Sequence, residues 1–204
     1  MNEGAHRISA CLLTGYEYRS GGARTPQVEL DNTDVRSPSI NSLAPLDPAA
    51  VNALVRLYFD HVNIDFPILH ETTFLETFDR WQANPASVDQ PWLCALFCVL
   101  ILARRYSPVT VSMEIETDLW VRVQSLLAGV MVPSKLESVQ ALVLAALHLH
   151  NTNHRDACWT LTGTAVRIAF AIGLHRDEVG PNGPRQAREL RKLVWWTLRG
   201  FEQV

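Results

Sequence analysis

Pro91-Trp92-Leu93-Cys94-Ala95-Leu96-Phe97-Cys98-Val99-Leu100-Ile101-Leu102-Ala103 is thirteen residues without a polar side chain. A membrane span needs about 20 such residues, and a run of ~10–14 fits a buried core helix. Apolar on every side, this stretch is expected at the centre of a helical core, with Pro91 opening it and Pro108 closing the region behind it. Cys94 and Cys98 sit four residues apart inside it and read as small buried hydrophobes.

Outward from this run the apolar period stays helical. Asp47-Pro48 looks like an N-cap followed by proline at the first helical position, and Val51, Leu54, Val55, Tyr58 and Val62 form one stripe behind it. Phe66-Pro67 ends that helix, because the residue before proline is pushed out of the α region. Phe74, Leu75, Phe78 and Trp81 mark a short second helix. After Pro108 a helix from about residue 112 carries Ile115, Leu119, Val123, Leu126, Leu127 and Val130. Ser134 and Glu137 have capping-box spacing ahead of Val139, Leu142, Val143 and Ala146. A sixth helix spans about 155–172 with Gly173 as its C′ glycine. The seventh carries Leu190, Leu193, Val194, Thr197 and Leu198 on one face. No alternating strand appears. The expectation is all-α, about seven helices packed as a bundle or array without a sheet.

Composition restricts the function classes. The chain has 204 residues, a net charge of −3 and 48% hydrophobic residues, with a mean hydropathy of +0.02 and a pI near 6.1. Modules that bind nucleic acid alone usually have a pI above ~9, so direct sequence-specific DNA contact is not expected. Nor is a membrane association. Cysteines at 11, 94, 98 and 158 have no disulfide-framework spacing. Residues 1–45 lack periodicity and read as a disordered N-terminal linker, leaving 46–204 as the folded domain.

Two constellations imitate catalytic sites. His175-Arg176-Asp177 with Asn182 spells the H-R-D-x-x-x-x-N kinase loop. That chemistry also needs a glycine-rich phosphate loop and a strand lysine, and the only lysines here are Lys135 and Lys192. His148, His150, His154 and Cys158 could supply metal ligands, but His148 and His150 point to different sides of a helix and the spacing matches no zinc pattern. A polar helix end is the simpler reading. The basic cluster Arg185, Arg188, Arg191, Lys192 and Arg199 reads as a solvated helix face.

Two further segments are more specific. The first runs from Trp159 through Gly163 to Gly173-Leu174-His175-Arg176-Asp177, and the second is Glu189-Leu190-Arg191-Lys192-Leu193-Val194-Trp195-Trp196. Together they resemble the regulatory "middle homology" domain of fungal-specific transcription factors, the partner of the Zn2Cys6 binuclear cluster. That family carries a tryptophan, a glycine, a helix ending G-L-H-R-D, and then E-x-R-R-R-x-W-W. Leu57-Tyr58-Phe59, the turn Phe66-Pro67-Ile68-Leu69-His70, and Phe74-Leu75 resemble its opening helix and turn, so the likeness covers roughly 46–204. Leu193 replaces the family's third arginine, and the chain stops before the helices that normally follow. No C-x2-C-x6-C array is present.

The resemblance implies a nuclear regulatory domain, truncated at its C-terminal side, without its DNA-reading module and without a cofactor, the zinc lying in that separate module. It implies control of transcription through other parts of a transcription factor, the transcription machinery, a homodimer or an effector. A small-molecule-sensing helical domain is the alternative, and a metal-dependent enzyme built on the histidines a remote one. The motif residues Trp159, Gly163, Gly173, Leu174, His175, Arg176, Asp177, Glu189, Arg191, Trp195 and Trp196 are expected to be structural. Gly163 should allow close helix contact, and Gly173 should turn the chain out of its helix. Arg191 and Glu189 should bond the His175-Arg176-Asp177 connector, with one of Trp195 and Trp196 inward and the other on a neighbouring helix. The last helix should leave an apolar patch open around Trp196 and Phe201.

Overall fold

The computed structural model describes residues 47–107, 113–176 and 185–202. The 1–45 linker and Asp177 lie outside them. Helix α1 (Pro48–Leu57) has Asp47 at its N-cap, and it runs on through a π turn (Tyr58–Val62) and a final helical turn (Asn63–Asp65). Phe66 leaves the helix at φ −124°, ψ 82°, as its following proline requires. The other helices are α2 (Glu71–Ala83), α3 (Gln90–Ala103), α4 (Met113–Met131), α5 (Leu136–Asn151), α6 (Arg155–Ala171) and α7 (Arg185–Glu202). Short 3-10 turns follow α2 and α3. No strand occurs among the described residues.

The apolar run becomes α3, and every residue from Leu93 to Ala103 is buried. It packs on α1, α4 and α5, and α5 in turn packs on α6, which carries α7. Two helices, α3 and α5, are therefore covered on nearly all sides. This explains their lack of a polar face: α5 is buried continuously from Ser138 to Leu149.

An ion pair joins the starts of these two helices. Asp89 caps α3, its carboxylate accepting from Trp92 N at 3.1 Å, and it also pairs with Lys135. Lys135 is the N-cap residue of α5, and its side chain makes no cap bond. The capping box expected at Ser134 and Glu137 is not formed. The helix starts one residue later, held by the Lys135 ion pair and by Ser138 Oγ donating to the Pro133 carbonyl.

A polar clamp joins the first turn of the fold to its centre. Asn63 donates through Nδ2 to the Leu69 carbonyl and accepts from Leu69 N, each at 3.1 Å. Gln140, buried on α5, donates to the Ile68 carbonyl at 2.7 Å. His70 then caps α2, accepting from Thr73 N through Nδ1, while its Nε2 meets the Gln186 amide at the start of α7. Phe201, near the end of α7, rests on Phe66 with ring centroids 5.8 Å apart. The Phe66–His70 turn is thus gripped by α5 and by both ends of α7.

Candidate functional site

Five of the motif residues, Gly173, Leu174, His175, Arg191 and Trp195, meet where α6 ends and α7 crosses it. Gly173 has φ +66°, the left-handed region that glycine enters without cost. Leu174 N bonds the Ala169 carbonyl and Gly173 N the Phe170 carbonyl, which together make a Schellman stop. Leu174 is buried beneath it. Gly173 therefore acts as the C′ glycine of this helix.

His175 lies against Phe170 (4.8 Å) and Trp195 (6.1 Å), so its ring joins an aromatic cluster. Phe170 and Trp195 meet edge to face at 5.5 Å, and the Arg199 guanidinium stands 5.9 Å over the Trp195 ring. Arg191 does not bond the connector side chains that are described. Its Nη2 donates to the Ile172 carbonyl at 3.0 Å, one of the acceptors the end of α6 leaves open. Its Nε is buried without a hydrogen-bond partner among the described residues. Glu189 is exposed, and Arg176 lies beside Gly173.

Several expectations are corrected here. Trp159 is 79% exposed and Trp196 51% exposed, so neither serves as core. Trp195 does pack on α6. Trp196 lies about 100° further round α7 and faces outward. Leu193 is 45% exposed and lies off the buried face, which is formed by Val194, Thr197, Leu198 and Phe201. Phe201 is buried, so the expected patch shrinks to Leu193 and Trp196. A Cβ at Gly163 would meet only the tip of Arg167 at 3.6 Å, so no close helix contact depends on it among the described residues. The close approach occurs instead at Gly129, where a Cβ would run into the Gln90 side chain. Gly129 carries no motif, and sequence spacing alone did not mark it.

The histidines disperse. His148 is buried with its ring 4.5 Å from Trp120, His150 meets the edge of Phe201, and His154 bonds Thr152 Oγ1 at 3.0 Å. Burial pushes the Cys158 thiol up, which disfavours the thiolate a metal would need. Among the described residues no group of three or more His, Cys, Asp or Glu side chains is placed to hold a metal ion. No described helix is long and apolar enough to cross a membrane.

His148 makes the fold acid-sensitive. Burial, with smaller contributions from Arg105 and His154, pushes its pKa down to about 4 from an ordinary 6.5. The native state holds this ring neutral while the unfolded chain protonates it. Stability is therefore complete above pH 6.5 and falls as the pH drops from 6.5 towards 4. The expected loss is ~1–2 kcal/mol after allowance for solvent screening. Melting curves at pH 7.5 and 4.5 should show a smaller drop for His148→Gln than for the unsubstituted chain. Equal drops would assign the sensitivity to other groups.

A surface cleft of about 380 Å³ lies between α1 and α2. Its floor is Val55, Leu75 and Phe78, and its rim holds Asn52, Arg56, Asp60, Glu71 and Asp79.

Over residues 55–198 the chain matches the model of the fungal specific transcription factor domain. The chain belongs to that family. Its relatives include a transcriptional regulatory protein of Schizosaccharomyces pombe, 29% identical over 80% of this chain and 22% of the relative. The fusaridione A cluster transcription factor of Fusarium heterosporum is 30% identical over 74% of this chain and 30% of its own length. Sorbicillinoid biosynthetic cluster transcription factor 2 of Penicillium rubens is 30% identical over 80% and 26%. The chain thus spans less than a third of these relatives. No solved structure matches it. This fungal transcription factor regulatory domain uses its family motif to stop α6 and seat α7: Gly173, Leu174, His175, Arg191 and Trp195 all act at that junction.

Proposed function

We propose that the domain regulates transcription from within the nucleus through protein contacts or an effector, without reading DNA or catalysing a reaction itself. Its partners on this reading are other parts of a transcription factor, the transcription machinery, or a second copy. It needs no resident cofactor, the zinc of the family belonging to a separate module. The observation that carries the reading is the family match over 55–198, which falls on a body whose motif residues perform capping and packing. The acidic pI adds support.

The test is a reporter fusion. Joined to an unrelated DNA-binding module, residues 1–204 should change reporter output, and a fusion indistinguishable from the bare module would count against regulation. Gel-shift titration at ~150 mM salt, where weak phosphate contacts are screened, should show no sequence-dependent retention. Retention at nanomolar protein would overturn the exclusion of DNA reading. Effector sensing is the second reading, and a metabolite screen by thermal shift would find such a ligand through a raised Tm.

A further inference from the structure

The outer face of α7 carries a row of cations. At about 100° per residue, Arg185, Arg188, Lys192 and Arg199 fall within about 60° of one another and extend roughly 21 Å along the helix. They lie opposite the buried face of Val194, Thr197, Leu198 and Phe201. Arg185, Arg188 and Lys192 form no ion pair with any described residue, the exposed Glu189 of the same helix included. Arg185–Arg188 and Arg188–Lys192 are like charges three and four positions apart, which repel. Arg185 and Arg188 also stand in the first turn, at the positive end of the helix dipole, and that turn holds no acidic residue. A helix face that only had to be solvated would intersperse acids, as α4 does with Asp118 paired to Arg122.

Apolar side chains edge the row. Trp196 stands about 20° beyond the line of Arg185, with Leu193 one turn before it, and they are 51% and 45% exposed. A cationic row with an apolar edge matches a segment that carries carboxylates and apolar side chains together. Fully extended, about six or seven residues span the row. Nucleic acid fits less well. Its phosphates repeat beyond the row, where the body is negative: the chain carries a net −3, and residues 47–89 hold seven acidic side chains against two arginines.

We propose that the outer face of α7 docks an acidic peptide segment, its carboxylates on Arg185, Arg188 and Lys192 and its apolar side chains on Trp196 and Leu193. Charge complementarity selects this occupant: carboxylates relieve the repulsion along the row, and the apolar side chains take Trp196 and Leu193 out of water. A contact of this extent belongs to the small, transient class of interfaces. This gives a chemistry to the protein contacts proposed above and rests on that reading. The binding measurement contains no promoter, so a failure here leaves the regulatory reading standing, and a silent reporter fusion leaves the binding result standing.

Fluorescence anisotropy tests it, with the full chain titrated to ~200 μM, a range suited to contacts of this class, at ~150 mM salt, where diffuse attraction is screened. The probe is a labelled synthetic peptide of about 12 residues, more than enough to span the row, in which Asp and Glu alternate with Leu and Phe. Saturable binding is expected, weakened at least ~10-fold by the double change Arg185→Glu with Lys192→Glu and at least ~5-fold by Trp196→Ala, as for an aromatic anchor. Arg80→Glu, an exposed arginine on α2, makes a charge change of the same sign and should leave the affinity unchanged. Lys192→Glu alone should keep Tm level or raise it, since it removes a repulsion from an exposed position. The peptide with Asn and Gln in place of its acids should not bind. No binding across the range, binding indifferent to Trp196→Ala or to the double reversal, or a single-stranded oligonucleotide of similar length that displaces the peptide overturns the proposal, the last in favour of nucleic acid.

Discussion

Phe97→Ala should lower the unfolding free energy by ~3–5 kcal/mol, the loss typical of truncating a fully buried aromatic. Phe97 has no exposed surface and lies midway along α3, with α1, α4 and α5 packed around that helix. Relaxation into the void would have to move several helices at once. Since domains are stable by only ~5–15 kcal/mol, this one change should remove a large fraction of the total. Urea denaturation is the measurement, with a midpoint shift of roughly 2 M expected for a slope of ~1–3 kcal/mol/M. Trp159→Ala is the matched control, an aromatic of the same chain with 79% of its surface in solvent. It should shift the monomer by no more than ~0.5 kcal/mol. Equal effects at the two positions would show that the described packing is wrong.

Gln140→Leu should cost ~1–3 kcal/mol despite adding apolar surface to a buried site. The substitution removes the donor to the Ile68 carbonyl and leaves that acceptor unpaired inside the protein. Ile68 is fully buried, so no solvent replaces the bond. The Phe66–His70 turn should loosen with it, because Gln140 is what ties the turn to α5. Hydrogen exchange at Leu69, whose amide bonds Asn63 at 3.1 Å, should accelerate in the variant. Gln82→Leu offers the comparison. Its bond to Asn52 is exposed and 3.4 Å long, and its loss should change stability by less than ~0.5 kcal/mol. Matching stabilities for the two leucine variants would remove the clamp from the account of the fold.

These two sites differ in how far the sequence exposes them. Phe97 is legible at once: thirteen apolar residues in a row admit only a helix surrounded by others, and the structure surrounds it. Gln140 is not, because its partner is 72 positions away and no local pattern links them.

The same division runs through the motif. Gly173 was readable because a C′ glycine acts through its own backbone, and the φ of +66° requires nothing distant. Arg191 is legible as a residue of this junction, but its bond to the Ile172 carbonyl is not. A guanidinium can serve a carboxylate or a helix-end carbonyl equally well, and only the crossing of α7 over α6 chose Ile172. Gly163 is expected at a close contact that the structure places at Gly129, because a missing Cβ says that something could come close, without saying where the neighbour is.

Sequence by itself determined the all-α class, the seven helices of the described residues, their proline and glycine limits and the family. Each follows from a local cause: the 3.6-residue period, the steric demands of proline and glycine, or a motif in order along the chain. Tertiary structure alone decided which tryptophans are buried, where α5 begins, and which face of α6 stays open. Periodicity states that a residue is apolar and on which side of its helix it lies. Whether another helix covers that side depends on how α5, α6 and α7 cross. Contacts between residues apart in the chain accompany those crossings, among them the Arg191 bond to the Ile172 carbonyl at the end of α6 and the Phe66–Phe201 contact that seats the end of α7.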